Sequence, residues 1–242
     1  LRYFQNNIHG MMVLLEAMVR HQVDKIVFSS TASVYGEPDA VPIPETAPLR
    51  PTNPYGESKL AMERMMHWVG EAHGIRSVIL RYFNVAGAWA QGEIGEDHRP
   101  ESHLIPIILQ VPLGKRPHIT IFGDDYPTPD GTCIRDYLDV VELADAHMRA
   151  VDYLRAGGAS EVCNLGNGTG FSVRQMVEAA QRVTGREIAV SIGARRPGDP
   201  ARLVASAQRA NDVLGWTARA DIDSIIASAW AWHSRRPDGF EE

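Results

Sequence analysis

The stretch Lys25-Ile26-Val27-Phe28-Ser29-Ser30-Thr31-Ala32-Ser33-Val34-Tyr35-Gly36 decides the fold. Its short apolar run, Lys25 to Phe28, has the length and composition of a buried strand, and it leads into a string of hydroxyl side chains. Just upstream, Ile8, Met11, Met12, Leu15, Met18 and Val19 recur at helical spacing, so a helix feeds the strand. Downstream, residues 34–54 hold six prolines (Pro38, Pro42, Pro44, Pro48, Pro51, Pro54), a density that forbids regular helix or a central strand and predicts a surface loop. From Pro54 to about His73 a second helical pattern places Ala61, Met65, Trp68 and Ala72 on one face, and Ser77 to Tyr82 reads as another apolar strand. Helix and strand alternating in this way imply an α/β fold, with a parallel sheet joined by crossover helices.

Beyond Phe83 the texture changes. A Gly- and acid-rich loop (87–100) precedes an apolar helix from about His103 to Gly114, with strand-like pieces at 119–122 and 133–138. Such a pattern suggests a smaller α+β lobe interleaved with the first, so the expected division is 1–85 against 86–242, with later segments returning to the first part. Residues 140–154 form a broad-faced helix and 161–165 a strand. Ser172 with Gln175 makes a capping box that opens a helix burying Val173, Met176, Val177, Ala180 and Val183. Ile222, Ile225, Ile226 and Ala229 lie on the face of a last helix. Gly166-Asn167-Gly168-Thr169-Gly170, between a strand and a capped helix, reads as a tight connection. The tryptophans Trp68, Trp216, Trp230 and Trp232 read as packing residues.

At 242 residues and 44% hydrophobic content the chain can bury a substantial core. A net charge of −6, from 24 basic and 30 acidic residues, supplies no global positive field for nucleic acid or an anionic membrane. Two cysteines, Cys133 and Cys163, are too few for a disulfide framework and match no zinc spacing, which makes a reducing cytoplasm the expected setting. No run is long and apolar enough to span a bilayer. Glu96-Asp97-His98 invites a metal reading, but three adjacent loop residues cannot all converge on one ion; a solvated loop and no metal site are expected.

Chemistry concentrates at Tyr55-Gly56-Glu57-Ser58-Lys59, where a tyrosine and a lysine one helical turn apart share a face. A phenol is a poor base at neutral pH, whereas a nearby ammonium favours the phenolate, as removal of a proton from an alcohol requires. Alone, such a pair is common on solvated helix faces. Thr31, at the carboxyl end of the first strand, lies where open α/β sheets hold ligands and could share a proton with Tyr55. For Ser29 and Ser33 a turn that satisfies its own backbone serves equally well.

The motifs FSSTASVYG (28–36), NPYGESK (53–59), LRYFNVAGA (80–88), IFGDDYPTPDGTCIRDYLDV (121–140), NLGNGTGFSV (164–173) and RRPGDPARLVA (195–205), in that order, resemble the UDP-hexose 4-epimerase family of extended short-chain dehydrogenases along essentially the whole chain. The resemblance implies a Rossmann-like sheet with a substrate-binding lobe. Members of that family begin with a strand and a GxxGxxG turn that hold the adenosine and pyrophosphate of NAD; no such turn occurs here, so the chain is expected to be an N-terminally truncated form. The resemblance further implies that Thr31, Tyr55 and Lys59 are catalytic, that Lys59 holds the nicotinamide ribose, and that Asn6 and Phe83 touch the cofactor. Asn84, His103, Leu104, Phe122, Arg135, Tyr137, Arg196 and Asp199 match the wall around the UDP-sugar, where Arg135 and Arg196 supply fork-shaped cations for two phosphates. Homodimers are common in the family.

Two departures bear on function. His103 stands where many relatives have asparagine, which adds a titratable group. The resemblance places Leu203 beside the sugar's C2 substituent, where relatives vary between tyrosine and smaller residues, and implies room for an N-acetyl group. The sister 4,6-dehydratases carry Asp-Glu directly after the catalytic threonine; Ala32-Ser33 here favours epimerisation of UDP-glucose and UDP-galactose. The alternatives are another UDP-sugar epimerase, such as one for UDP-N-acetylglucosamine, and an inactive fragment.

Overall fold

A computed structural model describes residues 1–89, 92–196 and 198–240. A π-helical turn at Phe4–His9 runs into α1 (Gly10–Arg20), and β1 (Lys25–Thr31) follows. Next come α2 (Pro54–His73), β2 (Arg76–Tyr82), β3 (Asn84–Ala86) and α3 (Leu104–Leu109). Then follow β4 (Ile119–Phe122), β5 (Ile134–Arg135), β6 (Tyr137–Asp139), α4 (Val140–Arg155), β7 (Glu161–Leu165) and β8 (Phe171–Ser172). The order ends with α5 (Val173–Thr184), β9 (Val190–Gly193), β10 (Arg202–Leu203), α6 (Gln208–Leu214) and α7 (Ile222–Arg235). The chain divides into two compact units: Leu1–Phe83 with Asp145–Gly166 and Ala205–Thr217, and Asn84–Ala144 with Asn167–Val204 and Ala218–Glu242.

In the first unit β1, β2 and β7 form a parallel sheet with β2 in the middle. Met11, Leu15 and Met18 of α1 and Met62 and Met66 of α2 pack with Phe28 and Ile79 of the sheet, and α6 lies against β7. Asn53 caps α2 by accepting from Gly56 N at 2.8 Å, with Pro54 in the first turn and Gly74 at φ 72° closing the helix. The buried face of α2 differs from the expected one. Leu60, Met62, Glu63 and Met66 face inward, while Trp68 is 70% exposed and so is not a packing residue. Trp216 and Trp232 are buried as expected.

The proline-rich segment has no regular strand or helix after the 3₁₀ turn Ala32–Val34, but it is more than a surface loop. Val34, Tyr35 and Ile43 are buried, because the segment supplies polar partners to the sheet's carboxyl end. Asn164 Nδ2 donates to Ile43 O at 2.8 Å, Asn164 N to Glu45 Oε1 at 2.7 Å, and Ser206 N to Ile43 O at 2.9 Å. Beneath it Arg81 grips Glu63 in a buried ion pair of 2.6 Å, Ser30 Oγ donates to Glu63, and Arg81 Nη1 donates to Tyr35 Oη at 3.0 Å.

In the second unit α3, α5 and α7 enclose a core of Ile105, Ile108, Leu109, Met176, Ala180, Ile222, Ile225 and Ile226. Parallel pairs β3–β6 and β4–β9 and the three-stranded set β10-β5-β8 flank it. The capping box is present: Ser172 Oγ accepts from Gln175 N at 3.1 Å and Gln175 Oε1 from Ser172 N at 2.9 Å. The expected helix to Gly114 ends at Leu109 and continues only as turns, and the expected strand at 133–138 breaks at Asp136. That buried residue instead takes Asn167 N and Gly168 N on its carboxylate, at 2.7 and 2.9 Å, which fixes the glycine-rich connection. Strands β3, β8, β9 and β10 and helix α6 were not expected. Among the described residues no helix is long and apolar enough to cross a membrane.

Candidate active site

Thr31 ends β1, Tyr55 begins α2, and Lys59 follows one turn later. Thr31 Oγ1 accepts from Ser33 N and donates to Ser33 Oγ, both at 3.2 Å, and so turns the chain under the start of α2. The two segments approach closely at Gly56, where a Cβ would stand 2.5 Å from Ser33 O. Lys59 Nζ donates to Ser29 O at 2.9 Å and lies 4.9 Å from the Phe28 ring centroid and 5.8 Å from that of Tyr55. Burial lowers the Lys59 pKa against the opposing pull of Glu63.

The Tyr55 phenol is pushed up by burial, with Tyr82 adding to the shift and a side-chain hydrogen bond with Thr31 opposing it. This reverses the sequence expectation that Lys59 depresses it. The ammonium points at a strand carbonyl, and the loss of water outweighs any attraction it exerts. Lys59 therefore presents a half-buried cation with one backbone partner beside a phenol and a hydroxyl. A ribose and a sugar hydroxyl fit that donor set.

Asn6 is exposed and its side chain donates to Asn7 Oδ1 at 3.1 Å; Asn7 in turn donates to Ser58 Oγ at 2.8 Å, which ties the N-terminal turn to α2. Phe83 is buried, with its amide on Leu165 O. Two positioning contacts escaped sequence reasoning, Asn7 with Ser58 and Ser29 Oγ with His147 Nε2 at 2.7 Å. Their partners lie 51 and 118 residues apart, and only a contact map reveals them.

The second unit gathers most of the expected polar wall. Arg135 pairs with Asp199 and donates to Ile134 O at 2.8 Å. Parallel register sets Asn84 opposite Tyr137 and Leu203 opposite Arg135. Burial raises the Tyr137 phenol, with Arg135 and an Asn84 hydrogen bond opposing it. The Arg196 guanidinium lies 4.1 Å from the Phe122 ring centroid. His103, just before Leu104 opens α3, is held elsewhere: its Nδ1 is 2.5 Å from Glu96 Oε1 and 3.1 Å from Glu101 Oε1. Sequence reasoning also missed Tyr126, which is buried, has no hydrogen-bond partner for its hydroxyl among the described residues, and packs under Arg195.

Residues 1–166 match the model of the NAD dependent epimerase/dehydratase family. A UDP-glucose 4-epimerase of Lacticaseibacillus casei is 58% identical over 241 residues, which are 99% of this chain and 73% of that protein. One crystal structure of a UDP-glucose 4-epimerase superposes with a TM-score of 0.97 at 54% identity, covering 100% of this chain and 74% of that one. The Bifidobacterium longum UDP-glucose 4-epimerase in complex with NAD+ and UDP gives 0.93 at 42% identity, covering 99% and 72%. The chain belongs to the NAD dependent epimerase/dehydratase family.

Proposed function

We infer that the protein interconverts UDP-glucose and UDP-galactose by inverting C4, with NAD as its cofactor. The observation that carries this is the placement of Thr31, Tyr55 and Lys59 together with Ala32 and Ser33, not carboxylates, after Thr31. When bound, NAD supplies a hydride acceptor that later acts as donor. Tyr55 Oη removes the proton of the 4-hydroxyl and returns it, Thr31 hydrogen-bonds the same oxygen, and Lys59 holds the ribose. Asn6 and Phe83 complete the cofactor contacts. Without an acid–base carboxylate pair, elimination of water has no catalyst here, which favours epimerisation over dehydration. Arg135 and Arg196 hold the diphosphate, with Asn84, His103, Leu104, Phe122, Tyr137, Asp199 and Leu203 as the rest of the wall. We assign cofactor chemistry mainly to 1–85 and the sugar nucleotide mainly to 86–242.

The cytoplasm is the proposed setting, and the two thiols fit it: both are unpaired, and burial pushes Cys163 up to about 12. A homodimer is proposed through α1 and α2, where Met12, Leu15, Val19, Met65 and Val69 line a groove of about 450 Å³. The test is incubation with NAD and UDP-galactose. UDP-glucose should form with no accumulation of NADH. Net NADH production or loss of water from the sugar would overturn the assignment.

A further inference from the structure

The loop before α3 carries the pattern Glu96-x-His98-x-x-Glu101-x-His103, and the structure draws all four side chains together. One donor atom from each lies within 4.8 Å of every other. The closest separations are His103 Nδ1 to Glu96 Oε1 at 2.5 Å, His103 Nδ1 to Glu101 Oε1 at 3.1 Å, and His98 Nδ1 to Glu101 Oε1 at 3.6 Å. His98 and His103 are exposed, as expected of a solvated loop, yet they do not disperse into solvent but turn towards the two carboxylates. Asp97 does turn away, to Arg99 and the amide of Phe240, so the three adjacent residues indeed do not converge. The alternate ones do.

We propose that Glu96, His98, Glu101 and His103 form a binding site for a divalent transition metal of the zinc class. Tetrahedral zinc with ligands at about 2.0–2.2 Å sets its donors roughly 3.3–3.6 Å apart, which the observed separations bracket. Two imidazoles with two carboxylates select zinc, cobalt or nickel over magnesium or calcium, which want oxygen alone. With neutral imidazoles the set carries two negative charges and no positive one, a load that a divalent ion balances. Glu101 is already oriented, because its Oε1 accepts from Ser102 N at 2.6 Å and His103 N at 2.7 Å. Glu96, His98 and Glu101 also line a cavity of about 360 Å³, a path by which an ion can enter. The ion would pin 96–103 ahead of α3. His103 is shared with the proposed substrate wall, but the test reads metal and varies His98, which lies outside that wall, so the failure of one proposal is distinguishable from the failure of the other.

The experiment titrates cobalt(II) into untagged, chelator-treated protein and follows visible absorption. One equivalent should give the intense band of tetrahedral cobalt, and zinc should abolish it. His98→Ala should weaken binding at least about tenfold, the scale on which lost metal-site partners act. The His98 ring is half-exposed, so this variant keeps the fold, whereas Glu101→Gln also disturbs two backbone amides. His118→Ala, outside the cluster, should change nothing. Absence of the tetrahedral band, or equal affinity in wild type and His98→Ala, overturns the proposal.

Discussion

A single phenol carries the proposed chemistry, and its environment sets the sign of the pH response. Burial raises Tyr55 and the Thr31 hydrogen bond lowers it, so the competent phenolate forms as pH rises. Thr31→Val removes the lowering contact, and the limb of kcat/KM that rises with pH should move to higher pH; an unmoved limb would separate Thr31 from the base. Tyr55→Phe should cost about 10²–10⁴ in kcat, the usual scale for a lost general base, with an unaltered circular dichroism spectrum. Leu203 lies opposite Arg135 in the β10–β5 pair. If it borders the C2 substituent, Leu203→Tyr should suppress turnover of UDP-N-acetylglucosamine more than that of UDP-glucose, measured as the ratio of the two kcat/KM values. Tyr55 and Lys59 were legible because their relation is one helical turn. His147 was not, because its partner Ser29 comes from a strand far away in sequence.

Among the elements, α2 matters most, because its first turn sets Tyr55 against the turn that follows β1. Gly56→Ala would place a methyl group against the Ser33 carbonyl, a contact with backbone that no side-chain rotation relieves. The helix start must then back away from Thr31, and kcat should fall while the melting temperature drops only modestly; wild-type kcat would show that this approach is not tight in solution. Farther along, Glu63→Ala leaves Arg81 buried without its partner and should destabilise the protein by about 3–5 kcal/mol, measured by denaturant unfolding. The existence of α2 and its ends were readable from Pro54 and the helical pattern that runs from it to about His73. Its inward face was not, since Leu60, Met62 and Met66 are as apolar as Met65 and Trp68, and only the sheet beneath selects between them. Strands of two residues such as β8 and β10 leave no periodicity to detect, and Ile134 and Arg135 pair only because Leu203 and Phe171 arrive beside them.

For the molecule as a whole, the apolar side chains that line the groove of α1 and α2 form a surface that water covers poorly. Met12→Glu, at an exposed residue of that groove, should halve the mass seen by light scattering while leaving the sheet intact; an unchanged mass would place any self-association elsewhere. The proline-rich segment has a consequence of a different kind. By composition it is the stretch that a protease should cut first, yet Ile43 O is claimed by both Asn164 and Ser206, and Glu45 takes a third amide. To present 40–46 as an extended substrate, the protein must release those contacts from β7 and from the chain leading into α6. Cleavage there should report the opening of the sheet's carboxyl end, and the amides of Asn164 and Ser206 should exchange with deuterium only as fast as that opening occurs.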